Sequence, residues 1–252
     1  MAVTVTDEGI YVYGIVRAGH PLPPALGGVG DPPGTVGRVE EGRLAAVISQ
    51  APPRLRARRR DLLAHQELLL ALAEDGPVLP MRFGMVAPDE SVIRRQLSEA
   101  EDRQLAALEG VAGRVEINVK ALPADEALPA LVKGDATIRG LREAARRLPS
   151  YEANVRLGEA VATALARRAA EAGRDIVREL SSSAHAVCAG PQVTGCQVNV
   201  SFLVDRGEGA GFVAEAERLA RQRQEHVVLR VAGPLPCYSF LEPLPSATPL
   251  GA

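Results

Sequence analysis

The three cysteines and a neighbouring histidine are the residues whose types best match a metal site. Zinc prefers thiolate and imidazole ligands, and His185, Cys188, Cys196 and Cys237 provide both kinds. No two of them form a Cys-x-x-Cys pair, however, and small buried thiols are common in protein cores. We therefore predict reduced thiols and no metal or other cofactor. The odd number of cysteines, with an N-terminus that lacks the pattern of a signal sequence, favours the cytoplasm.

The remaining candidates for chemistry do not form a catalytic arrangement in the sequence. Gly27-Gly28-Val29-Gly30 resembles a phosphate-binding loop, but no Lys-Ser or Lys-Thr follows, so a flexible Gly/Pro loop is the favoured interpretation. The carboxylates lie along predicted polar helix faces, without an opposed pair suited to acid and base catalysis. The arginine run at 54–60 is interpreted as a solvated loop, with binding of an acidic partner as the alternative. We predict that the protein is not an enzyme.

Composition and charge restrict the classes of partner. The chain has 252 residues, of which 46% are hydrophobic, enough for one large or two ordinary domains. The formal net charge is -2, so no overall field attracts nucleic acid or anionic lipid. Aromatic residues make up 3% and tryptophan is absent, which argues against a stacking platform for bases. No apolar run approaches the roughly 20 residues of a membrane helix. We expect neither nucleic acid nor a membrane as a partner.

The N-terminal half of the sequence predicts an α+β domain over residues 1–112. Strands are expected near residues 10, 36, 43 and 78, and helices from Asp61 to about Asp75 and from Pro88 to about Glu109. The strand VLPMRFGMV (78–86) contains Pro80, which cannot donate to a ladder, and Arg82, whose guanidinium needs an acceptor. We therefore predict that this strand lies at a sheet edge, with Glu116 as a candidate acceptor for Arg82.

The C-terminal half, residues 113–242, has the pattern of a ferredoxin-like, split βαβ domain. RVEINVKAL (114–122) alternates apolar and polar residues, as a half-buried strand does, and a helix, two strands, a helix and a strand follow. The long helix that begins at Ser150 carries an apolar stripe of mostly small residues, suited to packing on a sheet. We predict two α+β domains, of which the N-terminal one is a modified version of this arrangement. Residues 243–252 are expected to be a disordered, Pro-rich tail.

A few polar side chains stand among strongly apolar neighbours. They are His65 and Gln66 on a predicted helix, Arg82 on the predicted edge strand, and Glu116 and Lys120 on the polar face of another strand. Each of them alone is more often a satisfied structural group than a site. Together they are better suited to a contact surface than to an active site.

Several motifs, taken together, resemble the gas vesicle proteins of the GvpL/GvpF family. They are YVYGIV (11–16), His65-Gln66, VLPMRFG (78–84), the strand from Glu116 to Lys120, VNVSFLV (198–204) and GPLPCYSF (233–240). The motifs occur in the family's order, and the resemblance runs from about residue 10 to residue 242. The chain departs from the family pattern at Leu235 and Cys237, where Trp and Pro are usual, and at Met85, where Thr is common.

The resemblance implies a non-enzymatic accessory protein required to assemble gas vesicles, the protein-walled buoyancy organelles of certain bacteria and archaea. It implies binding to the small hydrophobic shell protein and to other accessory proteins, at the gas vesicle in the cytoplasm. We predict partner contacts in the stretches 78–86 and 233–240 and at the polar groups above, namely His65, Gln66, Pro80, Arg82, Phe83, Glu116, Lys120, Pro236, Tyr238 and Phe240.

The alternative is a small-molecule-binding or enzymatic ferredoxin-like protein, because one fold can host many unrelated functions. A small-molecule site needs an enclosed pocket with convergent polar groups. This alternative therefore predicts that His65, Arg82 and Glu116 line one cavity.

Overall fold

The described residues fall into two units. The last described residues, 234–241, belong to the first unit, and we call them the C-terminal segment. The structure is a computed structural model that describes residues 9–24, 26–53 and 55–241. The first unit contains the described residues up to Glu116 and from Pro234 onward, and the second is Ile117–Gly233. The division predicted at 112–113 lies close to this boundary, but the sequence assigned the C-terminal segment to the second domain. The predicted tail, 243–252, lies outside the described residues.

The first unit is an antiparallel sheet with helices packed against it. Its elements are β1 (Ile10–Arg17), β2 (Gly37–Glu41), β3 (Leu44–Gln50), α1 (Arg59–Asp75), β4 (Leu79–Pro80), β5 (Val86–Ala87), α2 (Glu90–Glu99) and α3 (Glu101–Val111). The strand order is β2-β3-β1-β4, and β5 also pairs with β1. Leu68, Leu69 and Leu72 on the buried face of α1 share one core with Val16 and Val47 of the sheet.

The helix predicted from 88 to 109 is instead two helices, α2 and α3. Ala100 between them has φ -118° and ψ 12°, outside the helical range. At this point the Glu101 carboxylate accepts hydrogen bonds from the Arg43 backbone N–H (2.9 Å) and from its Nε (2.8 Å). The contact joins the start of α3 to the turn between β2 and β3. Apolar periodicity does not record such a contact, so the sequence predicted one continuous helix.

The stretch 78–86 lies at the edge of the first sheet, as the sequence predicted. β4 is last in the strand order, and Pro80 pairs only with β1 within the described ranges. A proline fits an edge because its missing N–H is not needed there. The ladder is interrupted by a turn at 83–84 and resumes where the Val12 N–H donates to the Met85 carbonyl (2.9 Å).

The second unit also combines helices with a sheet, so the predicted α+β class is confirmed. Its elements are β6 (Arg114–Pro123), which begins in the first unit, α4 (Leu128–Gly134), α5 (Ala136–Arg147), α6 (Tyr151–Ser181), β7 (Ala186–Ala189), β8 (Val198–Asp205), α7 (Gly209–Gln222) and β9 (Val227–Leu235). The strand order is β7-β8-β6-β9, and β7 and β8 form the predicted antiparallel hairpin. With α4 and α5 set aside, the element order is the β-α-β-β-α-β on which the split βαβ prediction rests.

The apolar stripe of α6 is covered along only part of the helix. Its C-terminal members are buried in the core of the second unit, namely Ala169, Ala172, Ile176 and Leu180. Its N-terminal members are exposed, namely Tyr151, Val155, Gly158 and Ala162. The expectation that the whole stripe lies on a sheet is therefore wrong for its first turns.

The physical reason for the uncovered part is length. The 31 residues of α6 span about 46 Å at 1.5 Å per residue, whereas the 8 residues of β8 span about 27 Å. The helix therefore extends past the sheet that covers its C-terminal half. Despite this length, neither α6 nor another helix in the described parts of the chain is apolar enough to cross a membrane.

Candidate partner-binding site

Aromatic and imidazole rings meet on one side of the first sheet. Tyr11 and Tyr13 are two residues apart on β1, so both side chains point to the same side. His65 comes from the buried face of α1, and Phe83 from the turn after β4. The His65 ring centroid lies 5.7 Å from that of Tyr11, 5.6 Å from that of Tyr13 and 5.8 Å from that of Phe83. We call these four residues, with Tyr238 of the C-terminal segment, the ring cluster.

The imidazole of His65 is held by hydrogen bonds at both nitrogens. Nε2 lies 3.0 Å from the Met81 carbonyl oxygen, which can only accept, so Nε2 carries the proton. Nδ1 then accepts from the Tyr11 hydroxyl (2.9 Å), which itself accepts from the Gly84 N–H (3.2 Å). The Tyr238 hydroxyl oxygen lies 3.1 Å from Nε2 and is a second acceptor for the same N–H. Tyr238 of the C-terminal segment is thus bonded to His65 directly, and the turn at 83–84 is bonded to it through Tyr11.

Tyr13 connects the cluster to the Gly/Pro loop that precedes β2. Its hydroxyl accepts from the Val29 N–H (2.7 Å) and lies 2.8 Å from Ser49 Oγ. Gly30 N–H donates to the buried Asp61 carboxylate (3.1 Å). Backbone donors of the loop are therefore used within the protein. The stretch is a Gly/Pro loop, as the sequence predicted, but Gly28, Val29 and Gly30 are buried, whereas the sequence predicted a flexible loop.

Burial keeps the ring cluster neutral at physiological pH. It lowers the pKa of His65, because a charged imidazolium loses solvation in this environment. It raises the pKa of Tyr11, and it raises the pKa of Tyr238 to about 12, with a smaller contribution from the negative charge of Glu116. His65, Tyr11 and Tyr238 are therefore uncharged, and the hydrogen bonds of His65 hold together the segments that carry them.

The C-terminal segment is also held by Glu116. This residue is 4% exposed, and its carboxylate accepts from both the Ser239 backbone N–H (2.8 Å) and the Ser239 hydroxyl (2.7 Å). Arg82, the partner suggested from the sequence, is exposed. In place of the predicted pair, Glu116 binds Ser239, which the sequence had assigned to the same domain, 113–242.

The structure brings several of the predicted contact residues together in the first unit. His65, Phe83 and Tyr238 belong to the ring cluster, Glu116 holds its neighbour Ser239, and Pro80 lies on the adjacent edge strand. The other predicted positions have the following environments: Pro236 is buried, Gln66 and Phe240 are half-buried, Arg82 is exposed, and Lys120 is half-buried on β6 in the second unit. Their contact with a partner stays a prediction.

Tyr11 and Tyr13 are not among the contact residues predicted from the sequence, and Ser239 was predicted only as part of the stretch 233–240. The two tyrosines carry a detectable signal, since a Tyr-x-Tyr pair on a strand places two phenols on one face. Ser239 carries no such signal, because its partner Glu116 is distant in the chain. The candidate zinc ligands do not assemble either, and no group of three metal-binding side chains occurs in the described ranges.

Crystal structures with a fold similar to that of this chain exist. The crystal structure of the gas vesicle protein GvpF from Anabaena sp. PCC7120 matches 94% of this chain and 99% of that chain, with a TM-score of 0.73 and 23% identity. The structure of GvpF from Microcystis aeruginosa matches 92% and 98%, with a TM-score of 0.70 and 21% identity. At these identities the likeness shows a shared fold.

The chain belongs to the family described as gas vesicle synthesis protein GvpL/GvpF, whose model matches residues 9–242. It is 44% identical to gas vesicle protein F of Streptomyces sp. (strain CB03234), over 92% of this chain and 99% of that protein. It is 31% identical to gas vesicle protein L of the same strain, over 93% of each. The resemblance found in the motifs is thus confirmed, and the protein has a gas vesicle-related role.

Proposed function

We propose that this chain is a non-enzymatic accessory protein that binds the small apolar shell subunit during gas vesicle assembly in the cytoplasm. A subunit that forms a dry wall must expose apolar surface and strand edges before it is incorporated, and these aggregate unless they are covered. Other accessory proteins of the vesicle are further partners under this proposal. The observation that carries it is the interrupted edge strand at 79–87.

The edge strand presents a mixed apolar and basic surface that the ring cluster holds in place. Arg82 is exposed, Phe83 is half-buried against His65, and Tyr238 is 37% exposed although its hydroxyl contacts His65. Hydrogen bonds to Met81 and Gly84 fix the turn between the two strand pieces. A surface that is ordered before binding loses less conformational entropy when a partner docks. This supports a binding role for the segment.

The small-molecule alternative is less well supported by the same residues. It required His65, Arg82 and Glu116 around one cavity. Instead, His65 and Glu116 are buried and bonded to the C-terminal segment, and Arg82 is exposed. Both ring nitrogens of His65 are already engaged, so a proton-transfer role would require its hydrogen bonds to break.

Co-purification of the shell subunit with Arg82 variants tests the proposed contact. Because Arg82 is exposed, Arg82→Ala should leave the fold intact and reduce the captured shell subunit about tenfold, or about 1.4 kcal/mol. Arg82→Lys keeps the charge but loses the planar donor fork, so it should retain part of the binding. Arg103→Ala, at another exposed arginine of the same unit, is the matched control.

Equal capture by Arg82→Ala and by the control would exclude Arg82 as a contact residue. The accessory role itself is tested separately by deleting the gene in a host that has no second family member. We expect vesicles to be absent or few, and normal vesicles in the deletion strain would overturn the role in assembly.

A further inference from the structure

The uncovered part of the α6 stripe is a second surface that lacks a partner in the described structure. It belongs to the second unit and shares no residue with the proposed shell-binding segment. Tyr151 is 87% exposed, Val155 is 38% exposed, and Leu148 just before the helix is 79% exposed. With Gly158 and Ala162, which are also exposed, these residues form what we call the α6 tip surface.

The spacing of this surface suits another helix. Tyr151, Val155, Gly158 and Ala162 advance by four, three and four residues, so they lie on one face of α6. Apart from the neighbouring residues of the helix itself, no heavy atom of the described residues lies within 4 Å of the position that a Cβ would take at Gly158. Two small residues beside two large apolar ones make a groove and a ridge, the features by which helices pack.

The tip surface is ordered by contacts on another side of the same helix. There, Leu131 of α4 and Ile138 of α5 form a small core with Ala164 of α6. At the start of α6, the Ser150 hydroxyl accepts from the Ala153 N–H (3.1 Å) and caps the helix. The exposed apolar residues are therefore held on a packed and capped helix.

The charge around the tip surface is positive, unlike that of the chain as a whole. Residues 136–162 contain five arginines and three glutamates, and two of the glutamates pair with Arg147 (3.7 Å) and Arg156 (2.5 Å). The third glutamate, Glu159, is exposed beside Gly158. Arg142 and Arg146 are exposed on the last turns of α5, and neither forms an ion pair within the described residues. These two guanidinium groups are available to carboxylates of a partner.

We propose that the α6 tip surface binds an acidic amphipathic helix of another protein. Such a helix places its apolar face on Leu148, Tyr151 and Val155 and its carboxylates against Arg142 and Arg146. A second copy of this chain fits poorly, because it would bring the same arginines against each other. A lipid surface fits poorly too, since three large apolar side chains are few for a helix that lies in a membrane interface.

Binding of designed peptides to the full chain tests this proposal. The probe is a labelled peptide of about 18 residues, or five turns, with leucine along one face and glutamate elsewhere, and its twin carries lysine for glutamate. We expect the glutamate peptide to bind, more weakly at higher salt, and the lysine peptide not to bind. Tyr151→Ser and the double variant Arg142→Glu/Arg146→Glu should each weaken binding at least about tenfold.

Two control variants separate the proposed surface from general effects. Arg174→Glu changes an exposed arginine on the same helix, about 35 Å from Tyr151. Val187→Ser changes a 44% exposed valine on β7. Both should bind the glutamate peptide as the unmodified chain does, and circular dichroism should show that all variants are folded.

The remaining outcomes would overturn the proposal. They are failure of the glutamate peptide to bind, equal binding of the lysine peptide, and equal loss in the Arg174→Glu control. Binding of phosphatidylglycerol vesicles but of neither peptide would assign the surface to a membrane. A dimer in sedimentation experiments that Tyr151→Ser dissociates would assign it to a second copy of this chain.

Discussion

The two units of this chain have different kinds of core. The first buries polar rings, since Tyr11, Tyr13 and His65 are each at most 2% exposed and each is hydrogen-bonded. The second is aliphatic apart from Phe202 and Phe212, whose ring centroids lie 5.1 Å apart. Apolar packing has no preferred direction, whereas a buried hydroxyl or imidazole requires a partner at a defined position. The first core therefore positions loops, and the second fills volume beneath its sheet.

Removing a large ring from the core of the second unit should lower the free energy of unfolding most. Phe202→Ala deletes a fully buried side chain that contacts Phe212, and we expect the free energy of unfolding to fall by about 3–5 kcal/mol. Urea denaturation of the purified chain measures the change. Val187→Ala on the neighbouring strand is the exposed control and should cost little. A loss below about 1 kcal/mol for Phe202→Ala would contradict a volume-filling core.

Removing one hydroxyl from the first core should have a smaller but clear effect. Tyr13→Phe keeps the ring but leaves the Val29 N–H without its acceptor, which should cost about 1–3 kcal/mol. Tyr151→Phe, at an 87% exposed tyrosine, is the matched control and should leave stability unchanged. Equal results for the two variants would show that the directional bond of Tyr13 does not matter for stability.

The first core should also make stability depend on pH. Burial lowers the pKa of His65 below that of the unfolded chain, about 6.5. Above that value the imidazole of His65 is neutral in both the folded and the unfolded chain, so its protonation does not reduce the free energy of unfolding. As the pH falls below it, the unfolded chain binds a proton that the folded chain does not, so stability decreases by up to about 1.4 kcal/mol per pH unit. His20, whose pKa burial also lowers, contributes in the same direction.

Substituting the histidine isolates its share of this pH dependence. His65→Gln should flatten the dependence of the urea midpoint between pH 7 and pH 5, and the part due to His20 should remain. His226→Gln, at an exposed histidine, should change nothing. An unchanged slope in His65→Gln would mean that the imidazole titrates equally in both states.

The smallest loss of stability is expected at the contact between Ser239 of the C-terminal segment and Glu116. Ser239→Ala removes the hydroxyl bond to Glu116 but keeps the backbone N–H bond, so we expect a loss of about 0.5–1.5 kcal/mol. Hydrogen exchange around Tyr238 should become faster, whereas Ser183→Ala, at an exposed serine, should not change it. Unchanged exchange would show that the hydroxyl does not hold the segment.

Local patterns predicted most of the elements and one feature of the site. The alternation in β6, the turn before β8 and the proline of β4 each act on neighbouring residues, so the strand, the hairpin and the sheet edge are visible in the sequence. His65 was selected because a polar ring stood among leucines. Its partners come from three separate segments, and spacing along the chain does not indicate which segments meet.

By itself, the sequence determined the α+β class, the edge position of Pro80 and the family, because periodicity, a missing N–H and motif order are properties of the chain. Only the tertiary structure decided that Glu116 binds Ser239, and that the α6 stripe is half covered. The first depends on a contact between residues distant in sequence, and the second on the relative lengths of a helix and a sheet. Neither quantity is recorded in a local pattern of residues.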